Sequence, residues 1–277
     1  MAKAIGLIGN YTGKLGNTVG YNLKDSNNKQ TQGVRVYQPV VKNPKTSAQA
    51  EQRAKLAPIN ATYRALKMVI DRGQQGKAYG NKSRLAWLKV AILSFIGAWY
   101  DKSAVIGMPA LVQLTKGTLP FSQAIDATKQ NIQFALAGVT AGGTTTIGAL
   151  ATAFINAFPG IKSGDQLTFV ITQMINNRIS ATIESLVLDT TSTAAIPSFL
   201  TVGAGTITAF SSVTNGTAAA IILSREGSNG EHLRSSVTLQ KLASYDNTKL
   251  ADAAKNSAIA SYMAAGANTD WAEESIM

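Results

Sequence analysis

The 277-residue sequence contains no cysteine and a single histidine, His232. The lack of cysteine excludes disulfide bonds, thiolate zinc sites, iron–sulfur clusters and cysteine nucleophiles. With one imidazole, a metal site built from several histidines is also excluded within one chain. Charged residues are sparse, at 15% against a usual share of about 25%, whereas hydrophobic residues make up 45%. This composition indicates a chain that folds around a core and not a disordered polyelectrolyte.

Long hydrophobic runs are missing too. The longest spans residues 90–100 and is interrupted by Ser94, well short of the roughly 20 residues that cross a bilayer. Residues 2–8 are too short for the apolar region of a secretion signal, and Gly9 and Asn10 end them. We therefore expect a soluble protein that is made in the cytoplasm and is not inserted into a membrane.

Motifs that carry catalysis are equally scarce. Residues 9–15 place three residues between two glycines where a phosphate-binding loop needs four, and Leu15 stands where that loop needs Ser or Thr. No Gly-x-Gly-x-x-Gly run supports a dinucleotide fold. The sequence has no Gly-x-Ser-x-Gly motif whose serine His232 could activate as a base. Asp165 and Glu184 have no carboxylate partner at a recognisable spacing. We expect no enzymatic activity, no catalytic or metal-binding residue and no cofactor.

Positive charge is concentrated in the first part of the chain. The formal net charge is +11, yet residues 1–120 carry 18 basic and 4 acidic residues, and residues 121–277 carry 8 and 11. Such an asymmetry indicates a polyanionic partner or an acidic surface on another protein. A solvated basic surface that only aids solubility is the simpler alternative.

Residues 1–45 form a basic, glycine-rich arm. Alternating apolar residues from Val34 onward and a turn cluster at 25–28 predict a short β-ribbon. A ribbon of this size buries too little to be stable alone, so it must lie on the rest of the chain or on another subunit.

Residues 46–120 are predicted to be a helical domain. Thr46 and Gln49 have capping-box spacing, so a helix should begin near Ser47 and reach about Arg72, with a kink or break near Ala57 caused by Pro58. A second helix is predicted over residues 83–99. Its apolar residues cover most of its circumference, which indicates burial on several sides, by a neighbouring subunit or by the C-terminal domain.

Residues 121–245 are predicted to be a β-sandwich-like domain. Strand-like runs separated by turn signals cover residues 131–139, 167–175, 179–188, 206–213, 218–224 and 235–242. A hairpin tip is expected at Asn176 and Asn177. Residues 147–158 fit either a helix or a strand.

Residues 246–277 should form an alanine-rich C-terminal helix, capped by Asp246 or Asn247, and an acidic tail around Trp271. A basic beginning and an acidic end permit head-to-tail contacts between copies. The alternative is a solvated terminus.

Tyrosines are interleaved with the cations of the arm. Lysine and arginine can follow phosphates or grip an acidic subunit, and tyrosine rings can stack on bases. No sequence-specific DNA-binding motif accompanies them. The candidate residues for contact with nucleic acid or a protein partner are Lys14, Lys24, Lys29, Arg35, Lys42, Lys45, Arg53, Lys55, Tyr11, Tyr21 and Tyr37.

Two segments carry a resemblance to a known family. Gly13-Lys14-x-Gly16, followed by Asn43-Pro44-Lys45-Thr46 with Gln49, Arg53 and Lys55 at fixed spacing, resembles a family of unknown function found in gut bacteria and their phages. The resemblance covers roughly residues 1–70. It implies a hairpin before a helix and β-sandwich-like segments after it, but no catalytic residues. Its phage context implies a virion component.

The sequence therefore predicts an α+β protein: a basic N-terminal ribbon with helices, then an antiparallel β-sandwich-like domain and a C-terminal helix. We expect a non-enzymatic structural protein of a phage virion, made in the host cytoplasm. Its partners would be copies of itself, other virion proteins and, through the basic arm, packaged nucleic acid. The alternatives are a sequence-independent nucleic-acid-binding protein and a host-surface adhesion module on the β domain.

Overall fold

The structure is a computed structural model. It describes residues 12–24, 30–37, 46–93, 99, 111–121, 125–142, 146–176, 178–227 and 230–264. The chain divides into two compact units, and each is described by itself. One unit contains the described part of residues 1–45, and the other, called the body below, spans residues 46–265.

The first unit is a three-stranded antiparallel sheet, called the N-terminal sheet. Its strands are β1 (Gly13–Leu15), β2 (Thr18–Lys24) and β3 (Gln30–Val36), in the spatial order β1-β2-β3. Gly16 has a φ of 56°, which a residue without a side chain adopts freely, and this allows the tight turn between β1 and β2. The predicted β-ribbon is confirmed.

The body begins with three helices: α1 (Ser47–Ala65), α2 (Lys67–Ile70) and α3 (Asn81–Leu93). Strands β4 (Gln113–Thr115) and β5 (Ile132–Ala135) and helix α4 (Ile147–Ala157) follow. The remaining strands are β6 (Gln166–Ile175), β7 (Arg178–Val187), β8 (Leu200–Gly203), β9 (Thr206–Ala209), β10 (Gly216–Glu226), β11 (His232–Arg234), β12 (Val237–Thr238) and β13 (Gln240–Lys241). A 3₁₀ turn (Asn247–Leu250), capped by Asp246, leads to helix α5 (Asp252–Ala264). The α+β class and the C-terminal helix are confirmed.

Helix α1 begins where the capping signal predicts. The hydroxyl oxygen of Thr46 accepts a hydrogen bond from the N–H of Gln49 at 3.3 Å. Of the kink or break expected near Ala57, the break is absent, because α1 continues through Pro58 and ends seven residues later, at Ala65. Pro58 is buried, and the hydroxyl of Thr62 donates to its carbonyl at 2.8 Å. Burial of the ring in the core helps to offset the cost of about 3 kcal/mol that proline imposes inside a helix.

Strands β6 and β10 form the centre of the main sheet, in the order β11-β10-β6-β7. Both are buried on their two faces over most of their length. Because successive side chains of a strand point to opposite faces, the sheet separates two cores. In β10, the odd-numbered residues of 219–223 belong to the first core and the even-numbered residues of 218–222 to the second. This explains why 218–223 is a continuous apolar run instead of an alternating one.

The first core is covered by α4 and by a small antiparallel sheet, β5-β9-β8. The ring of Phe199 connects the two sheets, with its centroid 5.7 Å from that of Phe169 and 5.5 Å from that of Phe210. Residues 147–158, open between helix and strand in the sequence, are helical up to Ala157. Thr146 caps α4 by accepting from the N–H of Ala149.

The second core lies between the main sheet and helices α1 to α3. Trp87 of α3 is fully buried there, and its indole N–H donates to the carbonyl of Gln113 at 2.8 Å. The sheet presents Ala218 and Ala220 to this side, and small side chains allow helices to lie close to a sheet. Helix α5 packs along α1, with Ala258 buried and Lys255 paired with Glu51 at 3.2 Å.

Helix α3 is less covered than its apolar sequence predicts. The side chains of Ser83, Trp87 and Ala91 are buried, whereas Leu85 is 50% exposed and Leu93 is 87% exposed. Within the described residues the body covers one face of the helix, so the C-terminal part of the chain does not bury it on several sides, and burial by a neighbouring subunit stays a prediction. Trp99, the expected end of this helix, is not helical, and residues 94–98 lie outside the described residues.

One charge pair is buried beside the main sheet. The carboxylate of Asp165, just before β6, accepts two hydrogen bonds from the guanidinium of Arg225 in β10, at 2.6 and 2.7 Å. The side chain of Asp165 is only 2% exposed, and it also accepts from the N–H of Lys162. The hydrogen bonds that Arg225 donates to Asp165, together with the charge of that carboxylate, raise the pKa of Arg225 despite its partial burial. Asp165 is thus a buried and paired acid, because the fold places Arg225 against it.

Asp71, at the end of α2, connects helices α1 and α2. Its carboxylate accepts hydrogen bonds from the ammonium group of Lys67 and, at 2.9 Å, from the hydroxyl of Tyr63. Burial acts to raise the pKa of Asp71, but the hydrogen bonds from Lys67 and Tyr63 outweigh it and lower the pKa below its ordinary value of 3.8. The charged form is therefore the one that the fold stabilises.

In the part of the chain that the structure describes, no helix has both the length and the apolar character needed to span a bilayer.

Replacing Asp165 by Asn should strongly destabilise the body. The substitution keeps the shape but leaves the partly buried Arg225 without its counter-charge, which costs about 3–5 kcal/mol of unfolding free energy. Urea denaturation monitored by circular dichroism measures this loss. The matched control is Asp126→Asn in an exposed turn, which should lose far less. Equal losses in the two variants would contradict the account of the pair.

Asp71→Asn should give a pH-dependent loss of stability. Because the folded-state pKa of Asp71 is lowered, its contribution is present above 3.8 and disappears as the pH falls through the folded-state pKa. The difference in unfolding free energy between wild type and Asp71→Asn should therefore be largest at neutral pH and shrink below 3.8. Tyr63→Phe removes one hydrogen bond and should move the onset of the loss to higher pH. A difference that is constant across this range would refute the assignment.

Candidate partner-binding surface

Four of the predicted contact residues lie on one face of the N-terminal sheet. In antiparallel pairs, directly opposite residues point to the same side. Lys14 is opposite Val19, and Val19 is opposite Arg35, so Lys14 and Arg35 lie in one row across the sheet. Tyr21, two residues after Val19, is on the same side. We call Lys14, Tyr21, Arg35 and Tyr37 the cationic face.

Two contacts hold the aromatic rings of the cationic face in place. The ammonium group of Lys14 lies 3.8 Å from the centre of the Tyr37 ring, within the range of a cation–π interaction. The ring of Tyr21 lies against Gly33 on the neighbouring strand, so closely that a Cβ at this position would be 2.7 Å from the ring. The missing side chain of Gly33 therefore gives the Tyr21 ring its place on the sheet.

The opposite face of the N-terminal sheet, called the apolar face, carries exposed aliphatic side chains, and the polar residues Thr18 and Asn22 lie on it as well. Leu15, Thr18 and Val36 form its outer row, and Val34 is beside them. Leu15 is 51% exposed and Val36 is 69% exposed. Among the residues of this sheet whose burial is described, only Gly20 is buried, so no side chain is enclosed by a core. The sheet has one cationic and one apolar face, and both are accessible.

The other predicted contact residues are distributed differently. Arg53 and Lys55 lie in α1, within the body, where Arg53 is exposed and Lys55 is half-buried. Lys24 is the last residue of β2. Tyr11, Lys29, Lys42 and Lys45 lie outside the described residues.

A second feature, which the sequence did not reveal, is a cleft of about 620 Å³ in the body. It opens where the α2–α3 connection faces β10 and β11. Gln75 links the segments around the cleft. Its side-chain oxygen accepts hydrogen bonds from the N–H groups of Thr118 at 3.0 Å and Arg234 at 3.4 Å. Its amide nitrogen donates to Glu231 at 3.4 Å.

Among the described residues that line the cleft, four are cationic, and only one of these four is paired with an acid. Arg72, Lys77 and Arg234 line it without an ion pair among the described residues, whereas Arg225 is held by Asp165. Desolvation by burial, together with the positive charge of Arg72, lowers the pKa of Arg234. The guanidinium of Arg72 lies 5.2 Å from the ring centre of Tyr79, which is 64% exposed.

No local sequence pattern predicts this cleft. Its cations come from two distant segments, residues 72–79 and 225–234, which only the packing of the α2–α3 connection against β11 brings together. Residues 230–234 contain β11, and His232 is exposed on that strand at the cleft. The described part of the chain holds no group of three or more His, Asp or Glu that could bind a metal ion.

Comparison with protein-family models, with curated protein sequences and with solved structures finds no match to this chain.

Proposed function

We propose that this chain is a non-enzymatic structural protein that assembles through repeated subunit contacts, and that its N-terminal sheet binds the neighbouring molecule. One observation carries the proposal: the described residues of this sheet enclose no side chain in a core. Three short strands without a buried face are marginally stable at best in water. A contact that covers the sheet would supply the missing burial.

The apolar face is suited to a protein neighbour. Leu15 and Val36 present exposed aliphatic side chains in adjacent positions. Strand β3 also lies at one edge of the sheet, so the outer row of its N–H and C=O groups is open to another strand in the described part of the chain. Edge strands of this kind pair with strands of other chains. Apolar burial and backbone pairing would then act together.

The cationic face is suited to a negatively charged neighbour. Residues 1–45 contain seven basic residues and one acidic residue. Lys14 and Arg35 are exposed in one row, with two tyrosine rings on the same face. This face would contact packaged nucleic acid or an acidic neighbouring subunit.

The setting we propose is a phage virion, into which the chain is incorporated after synthesis in the host cytoplasm. The support is the resemblance of the Gly13-Lys14-x-Gly16 and Asn43-Pro44-Lys45-Thr46 segments to a family found in gut bacteria and their phages. The first of these segments forms β1 and the turn after it, and Thr46 caps α1.

A sequence-independent nucleic-acid-binding protein is the second candidate. The specific observation in its favour is the contact between Lys14 and Tyr37 beside Arg35, because cations next to aromatic rings bind single strands without base readout. This candidate needs no assembly of copies.

Charge on the apolar face should prevent assembly. The double variant Leu15→Asp/Val36→Asp places two carboxylates where we expect apolar contact, so it should remain a 29.1 kDa monomer at concentrations at which wild type forms larger species. Light scattering after size exclusion and electron microscopy measure this. The control Met68→Asp/Ile175→Asp changes two exposed apolar residues of the body and should assemble like wild type. A wild-type chain that remains monomeric at all concentrations would contradict the assembly proposal.

Removing the cations should reduce salt-dependent binding of a polyanion. We expect wild type to bind a fluorescent single-stranded oligonucleotide more weakly as salt rises. Lys14→Ala/Arg35→Ala should lower the slope of log K against log salt by about 1.4, since each phosphate contact contributes about 0.7. Fluorescence anisotropy gives the slopes, with Lys129→Ala/Lys162→Ala in the body as the charge-matched control. Binding that does not depend on salt, or equal slopes in the two variants, would exclude a phosphate-directed role for this face.

A further inference from the structure

We propose that the cleft between the α2–α3 connection and strands β10 and β11 binds the phosphate group of a nucleotide, with Arg72 and Arg234 as its ligands and Tyr79 beside the base. The proposal concerns the body alone and does not depend on the function proposed for the N-terminal sheet.

The first argument is an uncompensated charge. Arg234 is half-buried on β11, and its guanidinium has no hydrogen-bond or acidic partner in the described part of the chain. Burial of Arg234 and the positive charge of Arg72 both lower the pKa of Arg234. A partly buried cation without a counter-charge loses hydration that no protein group replaces. An anion bound between the two guanidinium groups would remove that penalty.

The number and type of cations favour phosphate over carboxylate. Each guanidinium offers a planar fork of donors that matches two oxygens of an anion. A carboxylate has two oxygens and is satisfied by one fork, whereas a phosphate monoester has three terminal oxygens and close to two negative charges. Arg72 and Arg234, with Lys77 beside them, match the phosphate.

Acidic residues of the cleft restrict where the anion can lie. Glu226 and Glu231 also line it, and Glu231 accepts a hydrogen bond from Gln75. Their charges repel a phosphate, so the anion must lie toward Arg72 and Arg234. Arg225 contributes little attraction, because Asp165 already compensates its charge.

Tyr79 makes a nucleotide a better match than a bare phosphate. It lines the same cleft, its ring is 64% exposed, and the guanidinium of Arg72 already lies over that ring at 5.2 Å. A base bound next to the phosphate can stack on an exposed aromatic ring. The volume of about 620 Å³ is within the usual range of small-molecule sites.

The site is also held in position before any ligand binds. The side-chain oxygen of Gln75 bonds the N–H of Arg234, and the carbonyl of Arg234 accepts from the N–H of Leu119 at 2.9 Å. The backbone of β11 is thereby fixed between the α2–α3 connection and the segment that contains Gly117 and Leu119. A Cβ on Gly117 would lie 1.9 Å from the Arg234 carbonyl oxygen, so a glycine is needed here for the close approach.

Isothermal titration calorimetry of the full chain tests the proposal with three probes: adenosine monophosphate, inorganic phosphate and adenosine. We expect adenosine monophosphate to bind, inorganic phosphate to bind more weakly, and adenosine to bind weakest. No binding of either phosphate compound at millimolar concentration would overturn the proposal, as would adenosine binding as well as its monophosphate.

Variants assign the residues. Arg72→Gln and Arg234→Gln should each weaken adenosine monophosphate binding about tenfold or more, as expected when a charge-assisted hydrogen bond is lost. Arg178→Gln, at the opposite end of the β6–β7 hairpin from the cleft, should bind like wild type. Should Arg234→Gln fail to fold, Arg72→Gln still decides, because Arg72 is exposed. Equal affinities for Arg72→Gln and Arg178→Gln would refute the assignment.

Two further variants refine the assignment. Tyr79→Ala should abolish the advantage of adenosine monophosphate over inorganic phosphate and leave the affinity for phosphate unchanged. Lys14→Ala/Arg35→Ala should not alter adenosine monophosphate binding, which separates this site from the N-terminal sheet. A short single-stranded oligonucleotide with a terminal phosphate distinguishes the source: competition with adenosine monophosphate indicates a nucleic-acid strand, and its absence indicates a free nucleotide.

Discussion

The two central strands of the main sheet have no face open to water, and the rest of the body is arranged to cover them. One face of β6 and β10 requires an apolar layer, which α4 and the small sheet β5-β9-β8 provide. The other requires a second layer, which α1 to α3 provide. Burial of apolar surface on both sides is the main stabilising contribution in such an arrangement. The helices before residue 94 and the strands after residue 165 thus belong to one compact unit.

The N-terminal sheet has the opposite property. Its two faces carry different chemistry, cations with tyrosines on one side and aliphatic with small polar residues on the other, and neither face encloses a side chain among the residues whose burial is described. In the body, the central strands are stabilised by the helices and the small sheet of the same unit that cover them. In the N-terminal sheet, stability must come from what it contacts. This difference supports a role in binding for one unit and a role as a scaffold for the other.

Much of the fold follows from local patterns, and the site only partly. Thr46 and Gln49 identify the beginning of α1, and the Asn176 turn identifies the β6–β7 hairpin, because a cap and a tight turn depend on neighbouring residues. Pro58 predicts a helix break that does not occur, because packing of its ring in the core outweighs the local cost of proline inside a helix. The cationic face follows from the alternation of Lys14, Tyr21 and Arg35 once strand pairing is known. The cleft does not, because Arg72 and Arg234 are distant in sequence and meet only through the packing of the α2–α3 connection on β11.

The most direct test of the account is amide hydrogen exchange of the full chain, measured by mass spectrometry in dilute solution and again under assembling or polyanion-bound conditions. The account predicts fast exchange of residues 18–36 in the dilute monomer, marked slowing of these amides in the bound state, and slow exchange of β6 and β10 in both. Protection of residues 18–36 in the dilute monomer equal to that of β6 and β10, with no change on binding, would contradict it.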